Sequence, residues 1–299
     1  MKLSVKVNAN VVSKLADLVT LSFDQNASQT CIVVHGRPGA GKTTSALSLS
    51  KFWPGALPTK KPVKPIVLND LFWFEWDLNS VVGFSERGLS VPVFSVPGFL
   101  GDPKRWKAAG LTQAPKLKQA LMIGLQCLAA AISKGTKWVI VDTASTMDRD
   151  VLMDAQMACG DDGRAAYGAL LSTHTSFHAA LRNLGVNIVY LCHSKSIAEP
   201  ARPTAESTAN RTKAVVQMAA GAANIVPQIS GQGGAVYIND ATFLLGLDAK
   251  EPAPGQLKRV FYTRPGKHGY ECKNRFELSL DAEEPADLGA LIKKCGIKS

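Results

Sequence analysis

Cys31-Ile32-Val33-Val34-His35-Gly36-Arg37-Pro38-Gly39-Ala40-Gly41-Lys42-Thr43-Thr44 joins an apolar, β-branched run to a glycine-rich turn and then to a helix-forming segment. A strand, a G-x-x-x-x-G-K-T turn and a helix in that order are the sequence form of a phosphate-binding loop. The glycines let the backbone curl so that successive N–H groups face phosphate oxygens, and the following helix adds the positive end of its dipole. Gly36, Arg37, Pro38, Gly39, Ala40, Gly41, Lys42, Thr43 and Thr44 are therefore the expected cradle. Lys42 is placed to reach β- and γ-phosphates, and Thr43 offers a hydroxyl to Mg²⁺. The implied ligand is a nucleoside triphosphate, ATP with Mg²⁺.

The rest of the chain is consistent with a large α/β domain. It has 299 residues, 46% of them apolar, which is enough for a substantial core and excludes a disordered chain. No apolar run approaches the roughly 18 residues that a membrane span needs. Met1-Lys2-Leu3-Ser4-Val5-Lys6 alternates charge with apolar residues instead of building a signal-peptide core. A cytoplasmic protein with no membrane partner is expected. Six cysteines lie far apart without metal-binding spacing and read as reduced thiols. The formal charge of +10 points to a polyanionic partner, nucleic acid first among them.

Apolar β-branched runs alternate with helical periods, the pattern of a mostly parallel sheet covered by helices on both faces. Strands are expected at 31–35, 71–76, 91–96, 138–143, 187–192 and 242–247, and helices at 42–51, 115–133 and 163–183. In the last helix His174 and His178 stand four apart. No Glu or third ligand accompanies them, so a structural role on the helix face is expected rather than a metal site. Residues 58–65 and 104–107 read as basic surface excursions, and 194–232 as a long functional loop. A basic antiparallel hairpin is expected at the end, 259–263 turning at 265–269 into 270–273. From Lys258 to Arg275 it carries six Lys or Arg against the single acid Glu271. In outline, 1–29 is a segment available for subunit docking, 30–280 the core and 281–299 a C-terminal helix or tail.

A phosphate loop needs a carboxylate at a neighbouring strand end to hold the Mg²⁺ shell, and Trp138-Val139-Ile140-Val141-Asp142 supplies Asp142. Phe72-Trp73-Phe74-Glu75-Trp76-Asp77 places two acids at another strand end. Glu75, flanked by aromatics, is the expected base or water-orienting group, while Asp77 is expected to meet water or cap a helix. His193, directly after the run 187–192, stands where a polar group can sense a γ-phosphate. Cations on a rigid hairpin suit insertion into a neighbouring subunit's site, where they neutralise charge as the γ-phosphate leaves.

The phosphate loop, Glu75, Asp142, His193 and Lys273-Asn274-Arg275-Phe276, in that chain order, resemble the RecA/RadA superfamily of ATPases. The tetrad is similar to the Lys-Asn-Arg-Phe box of bacterial RadA proteins, and the size and motif order resemble the core-only RecA-like annealing proteins of bacteriophages. The resemblance spans roughly 30–280. It implies a RecA-like P-loop fold and an ATPase that assembles as a ring or filament, with Lys273 and Arg275 offered in trans. It further implies annealing of single-stranded DNA in phage-type recombination, in a bacterial host cytoplasm and with a single-strand-binding protein as a possible partner. Two DNA-binding loops map to about 143–164 and 194–234. The first is rich in Asp and neither offers stacking aromatics, so contacts fall to backbone amides and to Lys195, Arg202, Arg211 and Lys213. The rival on the same fold is a translocating motor, a helicase or packaging ATPase. Further alternatives are a small-molecule kinase and a DNA-binding module that does not hydrolyse ATP.

Overall fold

The computed structural model describes residues 29–59, 62, 64–77, 80–196, 225–229, 231–253, 255–266, 268–276 and 279–297. Strand β1 (Cys31–Gly36) is buried along its whole length, as suits a run with apolar side chains on both faces and a neighbour on each edge. It pairs in parallel with β7 (Asn187–Ser196) on one side and β9 (Phe243–Lys250) on the other, which sets Gly36 level with both His193 and Leu247. Beyond β7 follow β6 (Trp138–Asp142), β3 (Leu71–Glu75) and β5 (Val93–Ser95), all parallel. Beyond β9 the sheet turns antiparallel with β10 (Lys258–Tyr262), which is followed by β12 (Glu283–Pro285). The order is β12-β10-β9-β1-β7-β6-β3-β5. Two further short strands, β2 (Ile66–Val67) and β4 (Leu89–Ser90), pair in a separate small sheet.

Both faces are covered. On one, Cys31, Val33, Phe72, Phe74, Val139, Val141, Ile188 and Tyr190 meet apolar residues from α5 (Leu117–Ile132), α6 (Ala144–Cys159), α7 (Gly163–Asn183) and α8 (Gly231–Asp240). On the other, Ile32, Val34, Trp73, Ile140, Val189 and Leu191 meet α1 (Lys42–Leu47) and α9 (Leu288–Lys294). Short helices α2 (Val82–Glu86), α3 (Val96–Leu100) and α4 (Pro103–Ala108) fill the region around β5.

Several expectations shift. Helix α1 stops at Leu47 rather than residue 51, because Ser50 Oγ and the Lys51 N–H both turn to the buried Asp70 carboxylate, at 2.5 and 2.9 Å. The expected C-terminal helix or tail, 281–299, contains helix α9 and, as far as it is described, packs into the core. Strand β12 extends the sheet, Leu288, Leu291 and Ile292 are buried, and the Gly289 N–H donates to Ser48 Oγ. Residues 1–28 lie outside the described residues.

The expected terminal hairpin is not one. Antiparallel strands are present, but β10 and β11 (Lys273–Asn274) do not pair with each other; both lie along the same edge of β9. Tyr262 faces Gly246 and Lys273 faces Leu244, so the chain between them loops out and then resumes the same edge. The excursion folds over the sheet. Tyr270 packs on His35, while the Ile225 N–H donates to Gly269 O and the Glu271 N–H to Ile225 O.

Candidate nucleotide site

Alternate residues of a strand share a face. Trp73, Ile140 and Leu191 lie in the core that contains Ala46 and Leu47 of α1, so Glu75, Asp142 and His193, two residues on from each, project to that same side. Three neighbouring strand ends thus converge on the loop between β1 and α1. Period-two alternation fixes the shared face, and the pairing of β3, β6 and β7 makes the three ends neighbours.

The loop itself fits a polyphosphate. Gly39 and Gly41 have φ of 77° and 102°, a region that L side chains rarely adopt, and Gly41 is the N-cap of α1 with no side chain capping it. The first-turn amides of α1 are therefore open toward the cradle. Lys42 is buried, its Nζ donating to Gly36 O (2.8 Å) and Arg37 O (3.0 Å). Burial holds its ammonium below the ordinary value, with Asp142 opposing the shift. A buried ammonium resting on carbonyls beside uncapped amides is a ready receptor for an anion.

Asp142 ends β6, with one oxygen accepting from Thr43 Oγ1 (3.2 Å) and Trp73 Nε1 (3.3 Å). Burial pushes its carboxyl up to about 6, against the pull of the Thr43 hydroxyl. A hydroxyl and a buried carboxylate in contact, beside the lysine of a phosphate cradle, are the donor set that holds Mg²⁺ with its water shell. Glu75 stands level with Asp142 on β3, buried, and accepts from Ser80 Oγ at 3.4 Å.

Asp77 reaches the same place from beyond the strand. Its carboxylate accepts from Thr146 Oγ1 (2.5 Å) and Thr143 Oγ1 (3.3 Å) at the first turn of α6, and its Oδ2 lies 3.8 Å from His193 Nε2. The His193 imidazole, then these hydroxyls, hold it below the usual carboxylate range. Asp77 is not the cap itself, a place held by Thr143, and its contact with His193 was not legible from spacing. The His193 N–H donates to Ser145 Oγ (2.9 Å), while its buried Nδ1 has no partner among the described residues.

Residues 28–276 match the AAA_24 family, described as an AAA domain. The chain belongs to this AAA domain family. No curated protein matches it. Among solved structures it is similar to a KaiC-like protein from the hyperthermophilic archaeon Pyrococcus horikoshii OT3, at 13% identity and a TM-score of 0.39, over 88% of this chain and 90% of that one. With its P-loop, its strand-end acids and its mostly parallel sheet, this AAA domain has the RecA-like P-loop ATPase fold.

Other expected site residues of the AAA domain stand elsewhere. Lys273 Nζ donates to Ile238 O (3.1 Å) and Asn239 O (3.0 Å), and Arg275 Nη2 to Asn239 O (3.5 Å). Both cations thus sit on carbonyls at the end of α8, where positive charge is favoured. Lys273 pairs with Leu244, whereas Gly36 pairs with Leu247, a separation of about 10 Å along the strand at ~3.3 Å per residue. The side chains of Lys273 and Arg275 are thus turned toward α8 and not toward their own subunit's P-loop.

The expected first DNA loop is mostly helix. Thr143 caps α6, and α6 and α7 follow one another across a short turn, because Ala, Met, Leu, Gln and Arg carry helix propensity through the first helix despite its Asp residues. In the second, β7 runs on through Lys195 and pairs with β8 (Ile225–Pro227). Lys195 is exposed and lines a cavity of about 500 Å³ with Asp77, Asp148, Arg149 and His193. Arg202, Arg211 and Lys213 lie outside the described residues. Among the described residues no helix is long and apolar enough to cross a membrane.

His174 and His178 are structural. His174 Nδ1 bonds the Tyr237 hydroxyl and its Nε2 lies 3.1 Å from Asp148 Oδ1, while His178 joins the Tyr190 hydroxyl (2.8 Å) to Asp240 (2.9 Å). The residue that the sequence reading passed over is Arg259. A Cβ built on Gly41 would lie 2.7 Å from Arg259 Cδ and Nε, so this side chain lies directly against the start of α1.

Proposed function

We propose that this AAA domain is a Mg²⁺-dependent ATPase that assembles with copies of itself, as a ring or filament, on single-stranded DNA and promotes annealing or strand pairing in phage-type recombination. Lys42 and the amides of residues 39–43 would hold the phosphates, and Thr43 and Asp142 the metal. Mg²⁺ bound there would screen phosphate charge. Glu75 stands where it can accept a proton from an attacking water. Lys273 and Arg275 come from the sheet end away from their own P-loop, so a phosphate they meet belongs to a neighbouring copy.

The observation that carries the nucleic-acid reading is the course of β7. The strand sets His193 level with Gly36 and, two residues later, exposed Lys195; Arg202, Arg211 and Lys213 follow in the sequence, outside the described residues. One strand therefore links the γ-phosphate end of the site to Lys195, the first of the candidate DNA contacts, as ATP acting as a switch would require. The net charge of +10 agrees.

The test is binding of a labelled single strand across a salt series, with ATP turnover measured with and without that strand. Affinity that falls steeply with salt, together with stimulated turnover that Glu75→Gln removes, is expected. A flat salt response contradicts phosphate-led binding. Unidirectional displacement of a paired strand, without annealing, would move the reading to a helicase or packaging motor.

A further inference from the structure

Arg259 stands on β10 opposite Ala249, two positions past Leu247, the partner of Gly36. Phe261 of the same strand is buried in the core beside α1, and Val260 in a small cluster on the other face. Arg259 therefore shares the α1 face. Its backbone is held by the sheet, its carbonyl accepting from the Ala286 N–H at 3.2 Å.

The placement is electrostatically odd. A guanidinium lies beside the N-cap of α1, the positive end of a helix, next to a loop that already holds Lys42. Among the described residues, no carboxylate forms an ion pair with Arg259. Three positive features around one gap are stable together when an anion completes them.

Which part of the ligand would meet Arg259 follows from the strand order. The γ-phosphate end is marked by Thr43 at the start of α1 and by Asp142, Glu75 and His193, whose strands β6, β3 and β7 all lie on one side of β1. Arg259 arrives from the other side, by way of β9 and β10. A nucleotide threaded through the P-loop with its γ end toward Asp142 leaves its α-phosphate and nucleoside toward β10. We propose that Arg259 binds the α-phosphate end of the nucleotide in its own subunit, making it a binding residue of the same site from an element no motif marks. The guanidinium fork suits phosphate oxygens and can also lie on a purine face. This rests on the nucleotide-binding reading above.

The test is calorimetric titration of the wild-type protein, Arg259→Ala and Arg259→Lys with Mg-ADP and with the slowly hydrolysed analogue ATPγS. Arg259→Ala should lose roughly tenfold in affinity for both, since both carry the α-phosphate, with Arg259→Lys in between. Unfolding of the ligand-free protein should not change. A loss confined to ATPγS would place Arg259 at the γ end and overturn the proposal, as would unchanged affinity for both ligands. Wild-type protein that binds neither ligand would instead remove the nucleotide-binding reading itself.

Discussion

Two groups of cations share one edge of β9 and have opposite addresses. Arg259, on β10, lies over the glycine that opens α1, whereas Lys273 and Arg275 hold the carbonyls that close α8. In the sequence they form one basic stretch, Lys258 to Arg275. Pairing divides it, because β10 follows the end of β9 near the P-loop and β11 its beginning, with 263–272 looped out between. Charge count identifies a patch; register decides which end of the sheet, and whose phosphate, the patch can serve.

The largest effect should come from the P-loop end. Lys42→Ala should cost at least about a hundredfold in ATP turnover, the scale of losing one preorganised charge donor. Lys273→Ala in a subunit kept dilute should leave ADP affinity untouched. Wild-type turnover by Lys42→Ala would remove the P-loop assignment, and a weakened ADP complex in Lys273→Ala would erase the contrast between the two addresses.

Next is the loop-out that creates the contrast. A Cβ on Gly246 would lie 2.6 Å from three Tyr270 atoms, in a site where Tyr270 is buried. Gly246→Ala should therefore destabilise by about 1–3 kcal/mol through overpacking. Gly168→Ala, in α7 with nothing near its Cβ position, should stabilise by about 0.5–1 kcal/mol. Urea midpoints that move the same way in both variants would mean that Tyr270 does not hold the excursion on β9.

The strand ends around the P-loop were legible because alternation, burial and a motif agree there. Val34, Trp73, Ile140 and Leu191 fix the face, and Gly36, Glu75, Asp142 and His193 follow two residues later. The C-terminal edge was misread because its partner is distant in sequence. Nothing between Lys258 and Arg275 says that both strands pair with Phe243–Lys250 rather than with each other, and the Pro265-Gly266 turn signal belongs to a surface excursion. Arg259 was hidden for the same reason: its role depends on lying across Gly41, a contact set by sheet order. The expected loop after Asp142 became α6 because Thr143 caps a run of good helix formers, with the Thr143 hydroxyl accepting from the Thr146 N–H.

His35 joins the two regions from the opposite face and supplies a smaller, pH-dependent test. The Glu271 carbonyl accepts at 2.7 Å, so Nε2 carries the proton and Nδ1 accepts from Ser194 Oγ at 3.0 Å. Burial lowers its pKa to about 4, with the Glu271 carbonyl opposing and Lys42 adding to the shift. An unfolded histidine titrates near 6.5. Between those values the unfolded chain takes up a proton that the folded chain refuses, so this contribution is full above about pH 6.5 and is lost as pH falls toward 4. His35→Gln should flatten the pH slope of the urea midpoint between pH 7 and 5; identical slopes would show that the clamp does not hold a neutral ring.

The smallest expected effect is the most discriminating for Lys273 and Arg275. As caps of α8 they should contribute about 1 kcal/mol or less, since helix-terminal charge pairs near solvent are weak. Lys273→Ala should thus speed hydrogen exchange at the carboxyl end of α8 while barely moving the global midpoint, and Arg259→Ala should not affect that exchange at all. If capping is their whole role, turnover of the assembled protein survives both substitutions. If they also act across a subunit seam, turnover falls far more than stability does. Mixing Arg275→Ala with Glu75→Gln subunits then restores part of it, because some seams pair an intact P-loop site with an intact cation. Absence of rescue at every ratio, with assembly intact, would confine both cations to α8.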